Sequence, residues 1–413
     1  MTLSPRKGHV NSWKPWAKSV NVFDQMASTP SATPPLLRDI NERRVLDLIR
    51  EGAPISRAEI SRRSGISKPT VSLALQSLVD AGLVREAATR PDGPGYGAVY
   101  FEPVAEAAVV LALDLGARFV RGAVCDLSGS IRARQDIELD GAEAVGAVAA
   151  ISRLRTSLLD VSTLDPALVD RVVVGAPGVI SADGTLRLAE NVAGLEGRRF
   201  AAELEEALGL SVTLENDINL AALGERWQGV ARGVDDFVFL SVGTGMGAGI
   251  VFDGKLHRGH HGAAGEIDFA LAALESVDPA ASEVSALAAR LAAQDGTTGL
   301  GAPFDPRAIF GAARTGDDVA RNVVGEVARR IALHIAPIAA VADVELVVLG
   351  GGIGANGDLL LAPIGRLLDE WLPFPPRLEV STLGDAAVLI GALSIGRQAA
   401  LDNVLTRRRP QPS

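Results

Sequence analysis

The chain has 413 residues, of which 47% are hydrophobic and 22% charged, and its formal net charge is −10. At roughly 100–200 residues per domain, this length predicts two to four folded units. The single cysteine, Cys125, excludes an intrachain disulfide and a cysteine-rich zinc site, which favours a reducing cytoplasm. No apolar run reaches the ~18 residues of a membrane-spanning helix or follows the basic N-terminus as a signal peptide requires, so we expect no membrane partner.

Charge is distributed unevenly along the chain. Residues 1–103 hold 14 Lys and Arg against 10 Asp and Glu, whereas the remaining residues hold 26 against 40. A basic end on an acidic body is typical of a nucleic-acid reader joined to a second domain, although a surplus of four charges is modest.

The N-terminal quarter contains a tail followed by three predicted helices. Residues 1–35 lack an apolar period and end in a proline-rich stretch, so we expect a disordered tail. Apolar spacing from Leu37 through Ile40, Val45, Leu48 and Ile49 predicts a first helix that ends near Gly52.

Two serines mark the starts of the next two helices. Ser56 and Glu59 form a potential capping box before a helix over Arg57–Arg63, and Gly65 suits the tight turn that follows. Ser67 then caps a third helix, which has Pro69 in its first turn. The apolar stripe of this third helix comprises Val71, Leu75, Leu78 and Val79.

A strand from Leu83 and a returning strand over residues 98–101 enclose a glycine-rich loop. Three helices and this two-stranded wing predict a winged helix-turn-helix over residues 36–103, whose third helix enters a DNA major groove. The candidate DNA contacts are Arg57, Ser67, Lys68, Thr70, Ser72 and Gln76. Arg62, Arg63 and Arg90 are candidates for backbone phosphates. The alternative is that these polar residues only face solvent, or that the domain contacts protein.

From Val104 onward, buried strands alternate with Ala- and Leu-rich helices, which predicts an α/β domain. The predicted strands are Val109–Leu115, Val172–Gly175, Phe237–Val242 and Leu346–Gly350, and the clearest helices are Ala201–Leu208 and Val319–Val341. We assign residues 104–232 with a C-terminal helix over 386–401 to one lobe, 233–385 to a second lobe, and 402–413 to a tail.

An internal similarity supports two lobes of like construction. Gly116 precedes Asp126 by ten positions and Gly243 precedes Asp253 by ten, and each stretch shows strand, glycine turn, strand and polar turn. Two such hairpins predict a cleft between related lobes, although hairpins are common enough for the similarity to arise by chance.

Several polar and glycine-rich segments follow predicted strands and are candidates for that cleft. Gly243, Thr244, Gly245 and Gly247 form a loop whose backbone amides can cradle phosphate. A second such loop spans 349–354. Asn191, Asn216 and Asp217 can grip hydroxyls, and Asp217 can act as a general base, although an Asn-Asp pair after a strand is more often a helix cap. His257, His260 and His261 invite a metal, but an exposed polar loop is the favoured interpretation.

In this order, these motifs resemble the bacterial ROK family, named for repressors, open reading frames and kinases. The resemblance covers residues 36–400 and rests on segments 55–72, 175–179, 215–217, 243–249, 262–267 and 349–354. It is to the repressor branch, and it implies an α/β, two-lobed actin-like (ribonuclease H-like) sugar-kinase fold behind the winged helix-turn-helix. It also implies a homodimer or homotetramer, an operator in double-stranded DNA, and control by a sugar or sugar phosphate.

The resemblance implies that Gly178, Asn216, Asp217 and Glu266 contact sugar hydroxyls, with Asp217 at the position of the kinase base. A further sugar-binding glutamate would be Glu283 or Glu275. The family's first phosphate loop reads Asp-x-Gly-Gly-Thr, whereas this chain has Ala117 and Arg118 in place of Gly-Thr. We therefore expect ATP to bind poorly and Asp217 and the Gly243–Gly247 loop to be vestigial, although an arginine can itself bind phosphate.

The family's zinc site is also altered, because Asp268 and Phe269 follow Ile267 where the family has Gly-His, and no cysteine follows. We expect no zinc and no other cofactor. The leading hypothesis is a cytoplasmic, sugar-controlled transcription regulator, most simply a repressor of carbohydrate-related genes. The alternatives are an ATP-dependent sugar kinase with an attached DNA-binding head, and a repressor whose kinase-like body only dimerises.

Overall fold

The computed structural model describes residues 34–87, 98–139, 144–189, 192, 194–269, 277–294 and 298–407. The helices are α1 Pro34–Gly52, α2 Arg57–Ser64, α3 Lys68–Asp80, α4 Ala144–Ser162, α5 Phe200–Leu208, α6 Asp217–Gln228, α7 Ala281–Gln294, α8 Pro306–Thr315, α9 Asp318–Ala342, α10 Gly351–Gly354, α11 Gly357–Trp371 and α12 Ala387–Arg407. Within these described ranges, none of the helices combines the length and apolar character needed to cross a membrane.

The strands form one small sheet, two five-stranded sheets and a short hairpin. Their bounds are β1 Ile55–Ser56, β2 Val84–Glu86, β3 Tyr100–Pro103, β4 Val109–Leu115, β5 Phe119–Asp126, β6 Ile131–Glu138, β7 Val169–Ala176, β8 Val179–Ile180, β9 Leu186–Arg187, β10 Val212–Asn216, β11 Phe237–Val242, β12 Met246–Phe252, β13 Lys255–Leu256, β14 Leu346–Gly350 and β15 Arg377–Val380. The fold therefore comprises a helical head with a small sheet, followed by two α/β lobes.

The head contains the three predicted helices, and β1 adds a third strand to its sheet in the order β1-β3-β2. The Ser56 side chain accepts a hydrogen bond from the Glu59 amide at 3.3 Å, as a cap should. The Glu59 carboxylate pairs with Arg62, so only half of the expected capping box forms. Gly65 ends α2 with φ at 73°, a conformation that favours glycine.

Fewer apolar residues are buried in the core of the head than the apolar pattern predicted. Val71, Leu75 and Leu78 of α3 are buried, but Val79 is exposed, so that part of the stripe was wrong. Leu37 and Ile40 of α1 are also exposed, because only the C-terminal half of this helix faces the other helices of the head and the first lobe. The wing tip over residues 88–97, including Arg90, lies outside the described residues.

The two lobes share one strand topology. The first lobe has the order β6-β5-β4-β7-β10 and the second β13-β12-β11-β14-β15. In each sheet the first three strands in sequence are antiparallel neighbours, and the remaining two lie parallel to the first. The hairpins predicted from the sequence similarity are β4–β5 and β11–β12, and they occupy equivalent central positions in the two sheets.

Helices α6 and α12 pack together between the sheets. Helix α12 contacts β4 and β7 of the first lobe, whereas α6 contacts β11 and β12 of the second. Their backbones meet where a Cβ on Gly391 would overlap the carbonyl oxygen of Leu220, and one on Gly224 that of Ala387. Only glycine permits this approach.

Helix α12 is longer than the sequence predicted. We expected a helix over 386–401 and a tail from residue 402, but α12 continues to Arg407. Leu401 and Val404 in this extension are buried, because the apolar pattern of the helix continues into the surface that receives the head.

The head is docked on the first lobe. Val45, Leu48 and Ile49 of α1 belong to the same buried cluster as Leu401 and Val404 of α12. At the edge of this contact Arg43 pairs with Asp402 at 2.5 Å. The recognition helix and the lobes are thus joined by a packed interface as well as by the chain itself.

Candidate DNA-reading surface and ligand cleft

The N-terminal end of α3 forms an exposed polar surface together with the start of α2. Arg57, Ser67, Lys68 and Gln76 are exposed there, and Thr70 and Ser72 are half-buried between them. Four of the six candidate DNA contacts therefore lie at the start of α3, Arg57 lies at the start of α2, and Gln76 lies further along α3. The start of α3 is the end of a recognition helix that faces base edges in a major groove.

Most of these side chains already have partners within the head. Arg57 donates to the Ser72 hydroxyl at 3.1 Å, and Ser72 in turn donates to the Lys68 carbonyl at 2.9 Å. The Ser67 hydroxyl accepts from the Thr70 amide, at 3.4 Å, and lies 2.8 Å from the Thr70 hydroxyl. These contacts fix the start of the helix and hold Arg57 against it.

Lys68 differs from its neighbours, because its ammonium makes no hydrogen bond or ion pair with any described residue. Gln76 donates to Asp80 at 2.8 Å on the exposed face. Arg62 and Arg63 pair with Glu59 and Glu51, so both of these guanidinium groups are partly neutralised by acidic neighbours.

Sequence reasoning missed Leu73. Its side chain is 73% exposed on α3, between Ser72 and Gln76. A large apolar side chain in this position can contact a thymine methyl group in a major groove. The signal was present in the sequence as an apolar residue outside the buried stripe of the helix.

The candidate cleft begins where β10 runs into α6. Asn216 is the N-cap of α6: its side-chain oxygen accepts from the Asn219 amide at 2.9 Å, and its Nδ2 donates to the Gly178 carbonyl at 3.0 Å. Asn216 is therefore a helix cap, as an Asn-Asp pair after a strand often is, and its side chain is buried with both polar atoms hydrogen-bonded. Gly178 has φ at 95°, and a Cβ there would collide with the β8–β9 hairpin. The backbone therefore requires glycine at this position for steric reasons as well.

Asp217 follows as the first residue of α6. Burial, and then the negative charges of Asp114 and Glu266, raise its pKa to about 7. The charges that act on Asp217 thus come from two other segments, β4 and the loop after β13. Asp114 is held by Arg121 at 3.1 Å, whereas burial raises the pKa of Asp114.

Glu266 approaches from the second lobe and is half-buried. Burial, followed by the charge of Asp268, raises the pKa of its carboxyl group. This carboxyl makes no hydrogen bond or ion pair with the part of the chain that the structure describes. A half-buried carboxyl without a partner is suited to a ligand hydroxyl.

An ion pair that the sequence did not predict crosses the cleft. Arg258, in the loop after β13, donates its Nε to Glu215 of β10 at 2.7 Å, and the Glu215 side chain is only 8% exposed. Glu215 also accepts from Asn219 at 3.0 Å, so it links the second lobe to the start of α6. Gly262, in the same loop, lies against the Ile180 carbonyl of the first lobe.

The glycine-rich turn of the second lobe, between β11 and β12, is open toward solvent. Gly245 has ordinary φ, and nothing lies within 4 Å of where its Cβ would stand. Gly352 in α10 is equally open, and Gly243 lies close enough that its Cβ would be 3.5 Å from the Gly352 amide nitrogen. The Gly243 amide already donates to the Gly245 carbonyl at 2.9 Å, so only Gly245 and Gly352 combine open space with glycine, as a phosphate cradle would require.

The equivalent turn of the first lobe, between β4 and β5, carries two side chains in place of glycine and threonine. Ala117 puts a side chain on the turn, and Arg118 lies over the Phe119 ring at 5.5 Å and pairs with Glu138 at 3.4 Å. The Arg118 side chain is 77% exposed. In this arrangement the Arg118 guanidinium contacts Phe119 and Glu138.

The residues present also do not fit the family's zinc. Phe269 is 64% exposed, and His257, His260 and His261 are exposed on the preceding loop, with the last two rings stacked edge to face at 4.6 Å. Among the described residues no three potential ligands cluster. Glu283 is exposed near the start of α7, and Asn191 and Glu275 lie outside the described residues.

A winged three-helix head joined to two lobes of equal topology around a polar cleft defines a DNA-binding module on a sugar-kinase-like body. A model described as the ROK family matches residues 110–399, and one described as winged helix-turn-helix DNA-binding matches residues 38–85. The chain therefore belongs to the ROK family and carries a winged helix-turn-helix DNA-binding domain, as its motifs predicted.

Relatives come from both branches of the family. The chain is 26% identical to a xylose repressor of Caldicellulosiruptor bescii over 386 residues, which cover 87% of this chain and 96% of that protein. A crystal structure of a ROK family transcriptional regulator, described as a homolog of the E. coli Mlc protein, superposes with a TM-score of 0.73 at 25% identity, covering 90% and 98% of the two chains. A ROK family glucokinase from Streptomyces griseus, in complex with glucose and AMPPNP, gives 0.60 at 27% identity, covering 70% and 100%.

Proposed function

We propose that this protein is a transcriptional repressor of carbohydrate-related genes that binds operator DNA through α3 and responds to a sugar or sugar phosphate in the cleft. The observation that carries this proposal is the packed head: an exposed, unpaired Lys68 at the start of a capped recognition helix, docked on lobes that carry a cleft. The similarity to a xylose repressor over 87% of this chain, and to a ROK family transcriptional regulator over 90% of it, supports the proposal.

DNA binding is tested by titrating a labelled fragment of the gene's own upstream region at several salt concentrations. Loss of one phosphate contact should weaken binding by roughly 10-fold and lower the salt slope by about one. We expect this of Lys68→Ala. The matched control is Lys255→Ala, an exposed lysine in β13 of the second lobe, which should leave affinity unchanged. Salt-insensitive or absent binding to every fragment would contradict the proposal.

The effector is proposed to lie between Asn216 and Asp217 of the first lobe and Glu266 of the second. A sugar hydroxyl there would meet one or more carboxyl groups from each side of the cleft. A thermal-shift screen of sugars and sugar phosphates tests this, because a ligand at ~100 times its Kd stabilises the native state by ~2.7 kcal/mol. Glu266→Gln should weaken the response to the active compound. A flat screen would instead favour a body that only dimerises.

The lobes are proposed not to transfer phosphate, because the first turn offers Ala117 and an outward Arg118 where a nucleotide phosphate would approach. A kinase is the second candidate, favoured by Asp217, whose pKa of about 7 suits a general base, and by the bare second turn. Sugar-dependent ATP turnover separates the two. Sustained turnover that Asp217→Asn abolishes would establish the kinase.

We further propose a symmetric dimer or a tetramer without structural zinc, acting in the cytoplasm. A two-fold assembly would present paired recognition helices to a palindromic operator. Light scattering of the purified chain and footprinting of the operator test the assembly. Metal analysis of the same preparation tests the absence of zinc.

A further inference from the structure

The interface between the head and the first lobe contains a cavity of about 340 Å³. This volume falls near the lower end of small-molecule sites, roughly 300–1,000 Å³. Its lining residues come from α1 of the head, the end of β3, the turn after β5, and α12: Asp47, Arg50, Glu51, Pro103, Ser128 and Arg397. The cavity is separate from the sugar cleft, since none of these residues belongs to that site.

Arg397 is the least satisfied of these groups. Its guanidinium carbon lies 4.8 Å from the centre of the Trp227 ring, which fixes the side chain on an aromatic surface. Its Nε is buried and has no hydrogen-bond partner. No ion pair or hydrogen bond joins Arg397 to any residue in the described ranges. Because this Nε is inaccessible to a bound molecule, the donors that Arg397 can offer to a ligand are the terminal nitrogens of its guanidinium.

Arg50 approaches the same space from the head. Its side chain is only 17% exposed, and its contacts are long: 3.4 Å to the Leu127 carbonyl and 3.8 Å to Asp47. Burial lowers the pKa of Arg50. Burial, and then the positive charge of Arg50, lowers the pKa of Arg397 as well. Two half-buried cations thus face one cavity with their donors incompletely used.

We propose that this cavity binds a small oxyanion of the phosphate type between Arg50 of the head and Arg397 of the first lobe. Guanidinium groups donate two parallel hydrogen bonds to such an anion, which suits a pair of arginines better than a pair of lysines. Asp47 and Glu51 on the rim limit the number of negative charges that the site accepts. Because the two cations belong to different units, the bound anion stabilises the docked arrangement of the head.

The test uses the full chain without DNA, titrated with inorganic phosphate by calorimetry at constant ionic strength set with chloride. We expect saturable binding of one phosphate at this site. Arg397→Gln and Arg50→Gln should each weaken it by 10-fold or more. The matched control is Arg366→Gln, an exposed arginine on α11 of the second lobe, which should leave the affinity unchanged.

A variant of opposite sign keeps the test decisive if an arginine substitution disturbs the interface. The Glu51 side chain is 59% exposed, and among the described residues it pairs with Arg63 at 3.5 Å. Glu51→Gln removes a negative charge from the rim and should tighten phosphate binding severalfold. Phosphate that binds no better than chloride, or an affinity that neither Arg397→Gln nor Glu51→Gln alters, would overturn the proposal. The outcome does not depend on whether the chain binds an operator.

Discussion

The turn between β4 and β5 and the turn between β11 and β12 occupy the same place in two sheets of the same topology, yet they have different surfaces. In the first lobe the turn carries the side chains of Ala117 and Arg118, with Arg118 folded outward onto Phe119. In the second lobe, the turn at Gly245 is bare backbone. The two lobes thus share one scaffold, while their turns present different surfaces: side chains in the first lobe and an open glycine in the second.

The largest expected effect comes from replacing a glycine that packing requires, Gly265, and it is compared with the effect of replacing Gly245 in the β11–β12 turn. Gly265 has φ at 99°, and a Cβ there would overlap the Ala248 carbonyl, so Gly265→Ala should destabilise the protein by about 3 kcal/mol. Gly245→Ala meets no neighbour and should change stability by less than ~0.5 kcal/mol. Urea denaturation of both variants measures the difference. Equal losses would mean that Gly245 serves packing.

The next largest effect concerns Asp217, which lies at the boundary of the two lobes and whose pKa is raised to about 7. A carboxyl whose folded pKa lies above its unfolded value binds more protons when folded, so it lowers stability as pH rises from about 4 to about 7. Asp217→Asn removes this loss and should stabilise the protein at pH 8 by about 2 kcal/mol, within a limit of ~4 for three pKa units. Denaturation at pH 4.5 and pH 8 measures it; parallel pH dependences in both proteins would refute it.

Rebuilding the first turn tests whether its side chains limit nucleotide binding. The double substitution Ala117→Gly with Arg118→Thr restores a bare glycine and a hydroxyl donor. We expect ATP affinity to rise about 10-fold, which corresponds to ~1.4 kcal/mol, or roughly one added hydrogen bond to a charged group. Calorimetry with ATP measures the change. Arg118→Ala alone supplies no donor and serves as the control, so an equal gain from it would count against this explanation.

The smallest expected effect is the change in the free energy of unfolding caused by the control substitution Arg118→Ala. Arg118 and Glu138 are 77% and 64% exposed, and such surface pairs contribute little. Arg118→Ala should change the free energy of unfolding by less than ~0.5 kcal/mol. A larger loss, measured by urea denaturation, would show that the outward position of Arg118 supports the fold.

Local patterns in the sequence predicted most elements but few of their contacts. The bounds of β4, β11 and β14 were predicted correctly, because each is a largely apolar run with glycine at its C-terminal end. Ser67 and Gly65 were recognisable because caps and positive-φ turns depend on one residue type.

The residue pairs that complete each site could not be predicted from local sequence patterns. Arg258 and Glu215 are 43 positions apart, and Arg50 and Arg397 are separated by almost the whole chain. Their proximity arises only once both lobes and the head have packed. The sequence placed Asn216 and Asp217 together at the start of a helix, but their environment, which includes Asp114 and Glu266, depends on the same packing.

The glycine crossing of α6 and α12 has a mechanical consequence. Helix α6 has 12 residues and runs ~18 Å from Asp217 in the cleft to the neighbourhood of Trp227, on which Arg397 rests. At Gly224 and Gly391 the two helices meet backbone to backbone, which leaves no soft side chains to absorb a displacement. A tilt of α6 by a few degrees, set by what the cleft holds, would move its far end by about 1 Å over that length. Because the head packs on Leu401 and Val404 of α12, we expect such a tilt to reach the surface on which the DNA-binding head is seated.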